Sequence, residues 1–324
     1  MKISHIELGN NPVFLAPMED VTDPSFRYIC KHFGADMMYT EFIAADGLVR
    51  DAAKSLAKLD IFDYERPIGI QIYGHELSSM TEAAKLAAQA NPDVIDINFG
   101  CPVRKIATRG AGSGMMLFPD KMVEMTRSIV DAVKIPVTVK TRLGWDENSK
   151  IIVELAERLQ DTGIAAITIH GRTRSQLYRG EADWTLIGEV KKNQRMYIPV
   201  IGNGDIDSPQ KAKNMFDCYN VDAVMIGRAT FGQPWIFRNI KHYIKTGELL
   251  AEPTVQERVE TAKIHLKKSV EVKGERVGVL EMRRHLSCYF KCLPDFKETR
   301  LKLVTTNEPE KIIELLDFIN ERWG

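Results

Sequence analysis

The 324-residue chain predicts an α/β fold: a (β/α)8 TIM barrel followed by a small all-helical C-terminal domain. Three observations support it. Eight short, β-rich apolar runs alternate with amphipathic helical stretches from residue 13 to about 245. Polar residues that a core would not hold gather at the ends of those runs. From about Pro253 onward the alternation stops and only helical periodicity remains.

The runs are Val13 to Ala16, Asp36 to Tyr39, Ile68 to Ile72, Val94 to Ile97, Val137 to Lys140, Ala166 to Ile169, Ile198 to Ile201, and Ala223 to Ile226. Between them lie amphipathic segments such as Leu77 to Ala90, Asp120 to Val133, Ile151 to Thr162 and Pro209 to Phe216. Pro119-Asp120 and Ser208-Pro209 suit helix N-termini, and Gly163 suits a C-terminal cap. Strands alternating with helices imply a parallel sheet buried on both faces. Eight such units fit a closed barrel better than an open doubly wound sheet. A dinucleotide-binding open sheet would also want a Gly-x-Gly-x-x-Gly turn after its first strand, where this chain reads Ala16-Pro17-Met18-Glu19-Asp20. Beyond the linker Thr246-Gly247-Glu248, the segments Thr254 to Lys273, Val277 to Cys292 and Glu308 to Arg322 read as helices. The expected division is therefore 1–245 for the barrel and 246–324 for the helical domain.

Composition narrows the function. No apolar stretch reaches the roughly 20 residues of a membrane span, and the N-terminus lacks a signal-peptide core. A cytoplasmic protein without a membrane partner is expected. The five cysteines, an odd number, point to free thiols. Cys288 and Cys292 have only His285 as a further soft ligand, too few for a structural zinc, so no metal is expected. Net charge is zero, yet eleven Lys/Arg face five Asp/Glu between Ala262 and Lys302. Such a local excess suits a polyanion, the bland alternative being a solvated helical surface. Nothing indicates an obligate protein partner.

Chemistry belongs at the C-terminal ends of barrel strands. There stand Gln71, Asn98, Lys140, Arg142, His170, Asn203, Asp205 and Arg228. Asn98-Phe99-Gly100-Cys101-Pro102 puts a thiol just past a strand end, above a cation and an imidazole, an arrangement suited to moving protons. Gly202-Asn203-Gly204-Asp205 and Gly227-Arg228-Ala229 follow the seventh and eighth runs, where barrels commonly cradle a phosphate. Flavin mononucleotide (FMN) fits, with Lys140 stabilising charge on the reduced ring and Gln71 bonding its pyrimidine edge. The basic, glycine-rich loop from Arg104 to Gly114 reads as mobile. Arg172 and Arg174 read as lying just outside the mouth, suited to phosphate contacts.

These motifs, with Val139-Lys140-Thr141-Arg142-Leu143-Gly144-Trp145, His170-Gly171-Arg172-Thr173 and Ala16-Pro17-Met18, resemble the tRNA-dihydrouridine synthases, the bacterial B-type branch most closely. The resemblance spans the barrel in order and spacing. It implies that NADPH (or NADH) reduces bound FMN, that hydride passes to position 6 of a tRNA uracil, and that Cys101 protonates position 5. It also implies that Ala16, Pro17, Met18, Gln71, Lys140, His170, Asn203, Gly204, Asp205, Gly227 and Arg228 hold the cofactor. Asn98 would take the uracil edge, Arg142 would lie near flavin or substrate, and Arg172, Arg174, Arg283 and Arg284 would contact the RNA. Phe99 and the Glu19-Asp20 pair depart from the pattern. Two other readings are a flavin dehydrogenase of a free pyrimidine and a non-catalytic RNA-binding protein on the same scaffold. The first needs no basic appendage, and the second would tolerate loss of Cys101 or Lys140.

Overall fold

The computed structural model describes residues 1–324. Eight parallel strands form the barrel: β1 Val13–Leu15, β2 Met38–Tyr39, β3 Ile68–Tyr73, β4 Val94–Asn98, β5 Val137–Arg142, β6 Ala166–His170, β7 Val200–Asn203 and β8 Ala223–Ile226. From β2 to β8 each strand pairs with its sequence neighbour, and β8 pairs with β1. Closure between β1 and β2 runs through the Leu15 N–H to the Met37 carbonyl (2.9 Å) and the Asp36 N–H to the Val13 carbonyl (3.0 Å). All eight expected runs are strands. The seventh starts at Val200 rather than Ile198, because Pro199 has no N–H for the ladder. The second is broken: a further two-residue strand, Ile43–Ala44, pairs with the far end of β3 and leaves Phe42 in the gap.

Register brings the chemistry together. Asn98 pairs across the ladder with Lys140, Arg142 with His170, and His170 with Asn203. The helices are α1 Pro24–His32, α2 Leu77–Gln89, α3 Pro119–Ala132, α4 Ile152–Gln160, α5 Thr185–Lys192, α6 Pro209–Tyr219 and α7 Ile236–Thr246. Their apolar faces and the strands' outer faces form one core of 48 buried residues. A hairpin of Lys2–Ile3 with Ile6–Glu7 also packs Ile3, Ile6 and Leu8 against the barrel-interior residues Phe14, Tyr39 and Met225. Strands of two residues carry no periodicity to read, which is why sequence missed it.

After Gly247 come α8 Val255–Tyr289, α9 Lys297–Thr305 and α10 Pro309–Trp323, around a separate core of 14 buried residues. Thr254 and Glu257 form a capping box at the start of α8. At Gly274, with φ 74°, α8 turns back on itself, so that His265 Nδ1 meets the Tyr289 hydroxyl at 3.0 Å. This is the break expected between Lys273 and Val277.

The helical unit docks beside the turn that follows β1. Phe26 stacks on His265 and His285, with ring centroids 5.6 and 4.5 Å apart. Lys273 donates to Asp23 at 2.5 Å, and Lys268 lies over the rings of Tyr28 and Tyr64.

Candidate active site

A cavity of about 710 Å3 opens at the C-terminal ends of the strands. Its wall takes Ala16, Pro17 and Met18 from the turn after β1, Asn98 and Cys101 from β4 and beyond, and Lys140 and Arg142 from β5. His170 comes from β6, Asn203, Gly204 and Asp205 from β7, and Gly227 and Arg228 from β8. Arg284 enters from the helical unit and donates to the Asp20 carbonyl at 2.7 Å.

Cys101 is held by a buried chain of hydrogen bonds. Thr138 Oγ1 and Gln71 Nε2 both donate to the Asp96 carboxylate, at 2.6 Å each. Gln71 Oε1 then accepts from Asn98 Nδ2 (2.8 Å), and Asn98 Oδ1 accepts the N–H groups of Gly100 and Cys101, both at 2.9 Å. An ionised carboxylate only accepts. Asp96 therefore orients the Gln71 amide, which orients that of Asn98, which fixes the Cys101 backbone. One Nδ2 hydrogen of Asn98 remains available to the cavity. On the far side Arg142 donates to the Gly100 carbonyl (2.7 Å) and to the carbonyls of Thr173 (3.0 Å) and Leu177 (2.9 Å), joining the loops after β4 and β6.

The glycines after Cys101 serve close packing. Gly112 has φ +54°, and a Cβ there would stand 3.0 Å from the Cys101 carbonyl oxygen. Ser113 donates to that same carbonyl through N–H (3.1 Å) and Oγ (2.8 Å). The loop expected to be mobile thus carries a short helix, Arg104–Ala107, and a buried Gly112–Ser113–Gly114 seam. Glycine was read as freedom where it provides room for two backbones to meet.

Burial dominates the electrostatics. It pushes the Cys101 thiol up, against a hydrogen bond from the Val103 N–H and the charge of Arg142. Lys140 is brought down to about 8 by burial and by Arg142, and Arg142 to about 10 by burial. Burial and the Arg142 and Lys140 charges drive His170 well below its ordinary value. Arg172, which has only donors, faces His170 Nε2 at 3.3 Å, so that nitrogen accepts and the ring proton sits on Nδ1. Asp96 is raised to about 6 by burial, opposed by Thr138 and Gln71. Near neutral pH the site presents a protonated thiol, a neutral imidazole and a cationic lysine.

Four expected site residues stand elsewhere. Gln71 lies behind Asn98 with its amide oxygen and nitrogen both engaged, and does not line the cavity. Arg172 is inside, not outside the mouth: it donates to the carbonyls of Arg179 and Gly180 and to Asp205, which holds the loop after β6. Arg174 stacks on Trp145 at 4.5 Å. Arg283 bonds Asn307 at 2.8 Å within the helical unit, away from the mouth. Burial at Asp205 is outweighed by its hydrogen bonds from Arg172 and the Ala182 N–H, so its carboxyl stays low and anchors Arg228 at 3.0 Å. Sequence reasoning passed over Phe42 and Tyr178. The Tyr178 ring lies under both Arg142 and Arg228, 5.6 and 5.0 Å away. Its signal was an aromatic among the arginines after His170, a pattern of nucleic-acid surfaces.

A family model described as "Dihydrouridine synthase (Dus)" matches residues 14–321. A "Probable tRNA-dihydrouridine synthase" of Rickettsia conorii is 38% identical over 326 residues, covering 99% of this chain and 98% of that one. The "tRNA-dihydrouridine synthase B" of Pseudomonas aeruginosa is 39% identical over 290 residues, 90% and 87% of the two chains. Among solved structures, a 2-naphthoyl-CoA reductase complex aligns at TM-score 0.59 and 12% identity, over 75% of this chain and 51% of that one. A morphinone reductase variant in complex with tetrahydroNAD aligns at 0.53 and 14%, over 79% and 92%. These two likenesses speak to the barrel alone.

Proposed function

The chain belongs to the dihydrouridine synthase family, and from that premise we propose that it reduces particular uridines of tRNA to 5,6-dihydrouridine, using bound FMN and NADPH or NADH. The observation that carries the mechanism is a buried cysteine at the wall of the cavity, its backbone held by Asn98 and, through the Gly100 carbonyl, by Arg142, with burial favouring the protonated thiol.

The cavity fits the cofactor. Its volume lies within the range of small-molecule sites, Ala16, Pro17 and Met18 give it an apolar wall, and Lys140 gives it a cation. At Gly227, beside that apolar wall, a Cβ would sit 3.4 Å from the Met18 sulfur, narrowing the space where the backbone and Arg228 would receive a phosphate. When bound, the flavin supplies the hydride that reaches C6 of the uracil. Cys101 gives its proton to C5, so that two hydrogens add across the double bond, and the resulting thiolate is reprotonated from solvent. Asn98 donates its free amide hydrogen to a uracil carbonyl. Lys140 and Arg142 favour the charge that develops on the reacting ring. His170, neutral and fixed by Arg172, shapes the pocket without adding charge.

The uracil has to leave its stack to enter the mouth, which a folded RNA with an extrudable base permits. Residues 246–324 would hold that RNA, as the helical domain beside the 1–245 barrel, in a cytoplasmic protein. Lys263, Lys268, Lys273 and Arg284 are tied to acidic neighbours. The phosphate contacts therefore fall to cations without such ties, among them Lys267, Arg276, Lys291 and Arg300.

The test uses bulk tRNA from a strain lacking the gene. Wild-type protein should carry FMN and restore dihydrouridine. Cys101→Ala should fold and bind FMN while its rate falls by about 10^2 to 10^4, the usual contribution of a positioned general acid. Modification at the wild-type rate by that variant would remove the proton-donor role.

A further inference from the structure

A second cavity of about 410 Å3 adjoins the first and shares Glu19, Phe42 and Val103 with it. The reaction has no use for it. We propose that it binds the nucleotide next to the reacting uridine, base on the aromatic floor and phosphate on the loop that follows Cys101. The proposal rests on the tRNA reading above and assigns a part of that substrate to named residues.

Three features converge there. The floor is an edge-to-face pair, Phe42 and Tyr73, with centroids 5.3 Å apart and both rings partly open to solvent. Phe42 reaches this position because the second strand breaks around it. Lys105 and Arg109 hang over the rim, exposed, and neither side chain has an acidic partner within 4 Å or a hydrogen bond to the rest of the chain. Other basic side chains near the mouth are tied down, Lys58 to Glu19 at 2.6 Å and Arg228 to Asp205 at 3.0 Å. Partly exposed aromatic faces beside unpaired cations are how proteins hold unstacked nucleotides.

The location selects the occupant. Val103 is two residues from Cys101, is 51% exposed, and borders both cavities. A strand whose base is turned into the first cavity has its adjoining phosphate and base at that border. The electron donor has no such constraint, since its nicotinamide has only to reach the first cavity. Glu19 and Asp46, also on the lining, supply acceptors for base amino or imino hydrogens.

The experiment uses the full-length FMN-bound protein and unmodified tRNA transcripts. Wild type first locates the reduced uridine. Two further transcripts are then made, abasic on its 5′ or its 3′ side. One of them should lose about 5- to 100-fold in kcat/KM on wild type, the range for a single stacked base. Phe42→Ala should lose a similar factor on the intact transcript and little more on that abasic one, because both remove the same contact. Arg109→Glu, on an exposed loop where folding is not at stake, should raise KM for tRNA and lower the salt slope by about one.

Losses from Phe42→Ala and the abasic position that multiply would overturn the proposal. So would variants that change KM for NADPH and leave tRNA untouched. If wild type makes dihydrouridine and neither abasic transcript matters, only the second cavity is refuted. If wild type makes none on the intact transcript, the tRNA reading falls and this proposal with it.

Discussion

Replacing Asn98 with alanine should release the Cys101 loop from the barrel. Asn98 Oδ1 accepts two backbone N–H groups and Nδ2 donates to Gln71, so alanine strands two donors and one acceptor in the interior. Each orphaned buried group costs about 1–3 kcal/mol. Water entering from the adjoining cavity relieves part of this, and the sum is about 3–6 kcal/mol, a large share of a typical domain's stability. Asn98→Asp separates the contributions. It keeps both acceptors for the N–H groups but sets a carboxylate against Gln71 Oε1. Gln71 then has to serve two acids, this one and Asp96, whose carboxyl is raised to about 6 by burial. Below pH 6 Asp96 takes a proton and can donate to Gln71 Oε1, and the conflict eases. Urea unfolding should therefore show Asn98→Ala strongly destabilised at every pH. Asn98→Asp should be strongly destabilised at pH 7.5 and recover part of the loss at pH 5.5. Dihydrouridine formation should fall in kcat for both variants, because Cys101, the proposed proton donor, is displaced. Stability of Asn98→Ala within about 0.5 kcal/mol of wild type, the range of an uninvolved surface change, would refute the reasoning, as would an aspartate variant whose deficit ignores pH.

Three further outcomes follow from contacts elsewhere. Arg27 and Glu65 form a buried pair at 3.0 Å, with side chains 2% and 0% exposed; Arg27→Met should cost about 3–5 kcal/mol in chemical denaturation by leaving the acid uncompensated, and a loss below 1 kcal/mol would count against that. His285, buried against Phe26, is held down at about 4, so it binds protons more weakly folded than unfolded. Its share of stability is complete above pH 6.5 and drains as the pH falls toward 4, by about 3 kcal/mol in all; His285→Phe should flatten that slope in acid unfolding, and an unchanged slope would reject the assignment. Arg284→Glu should weaken tRNA binding in filter assays, since it puts an unpaired acid at the rim beside Asp20; affinity equal to wild type at low and high salt would show that the RNA passes clear of this part of the rim.

The eight strands and the helical tail were legible because run length and period survive any tertiary context. Which strand-end residues meet in one mouth was also legible, since parallel register sets Asn98, Lys140, Arg142, His170 and Asn203 across from one another. What sequence could not say is where a polar side chain ends once neighbours compete for it. Gln71 was expected to face a ligand and Arg172 to lie outside the mouth, yet the first is engaged by Asp96 and Asn98 and the second by loop carbonyls and Asp205. The basic stretch from Ala262 to Lys302 was read as one patch, but Lys273 is fixed to Asp23 and Lys268 to a ring cluster on the barrel. Part of that charge holds the two units together. Partners 200 or more residues away leave no local trace in the chain.

The charge pattern of the mouth follows from one competition. Four cations, Lys140, Arg142, Arg172 and Arg228, bear on His170, and each opposes a further positive charge on its ring. The same field would pull a proton from Cys101, since Arg142 and Lys140 both lower the thiol's pKa, yet burial is the larger effect and the thiol stays protonated. A more open site with these residues would lose the burial penalty and leave chiefly the influences that lower the thiol's pKa, shifting it toward the thiolate, a nucleophile with no proton to give. Seating a planar ring and a base over Cys101 excludes water further and strengthens the burial side of that balance. The thiol is therefore best protected when the mouth is full, which is when the proposed mechanism calls on its proton. The cations that survive burial, Lys140 and Arg142, remain to meet the negative charge that the proposed hydride transfer would bring onto the uracil.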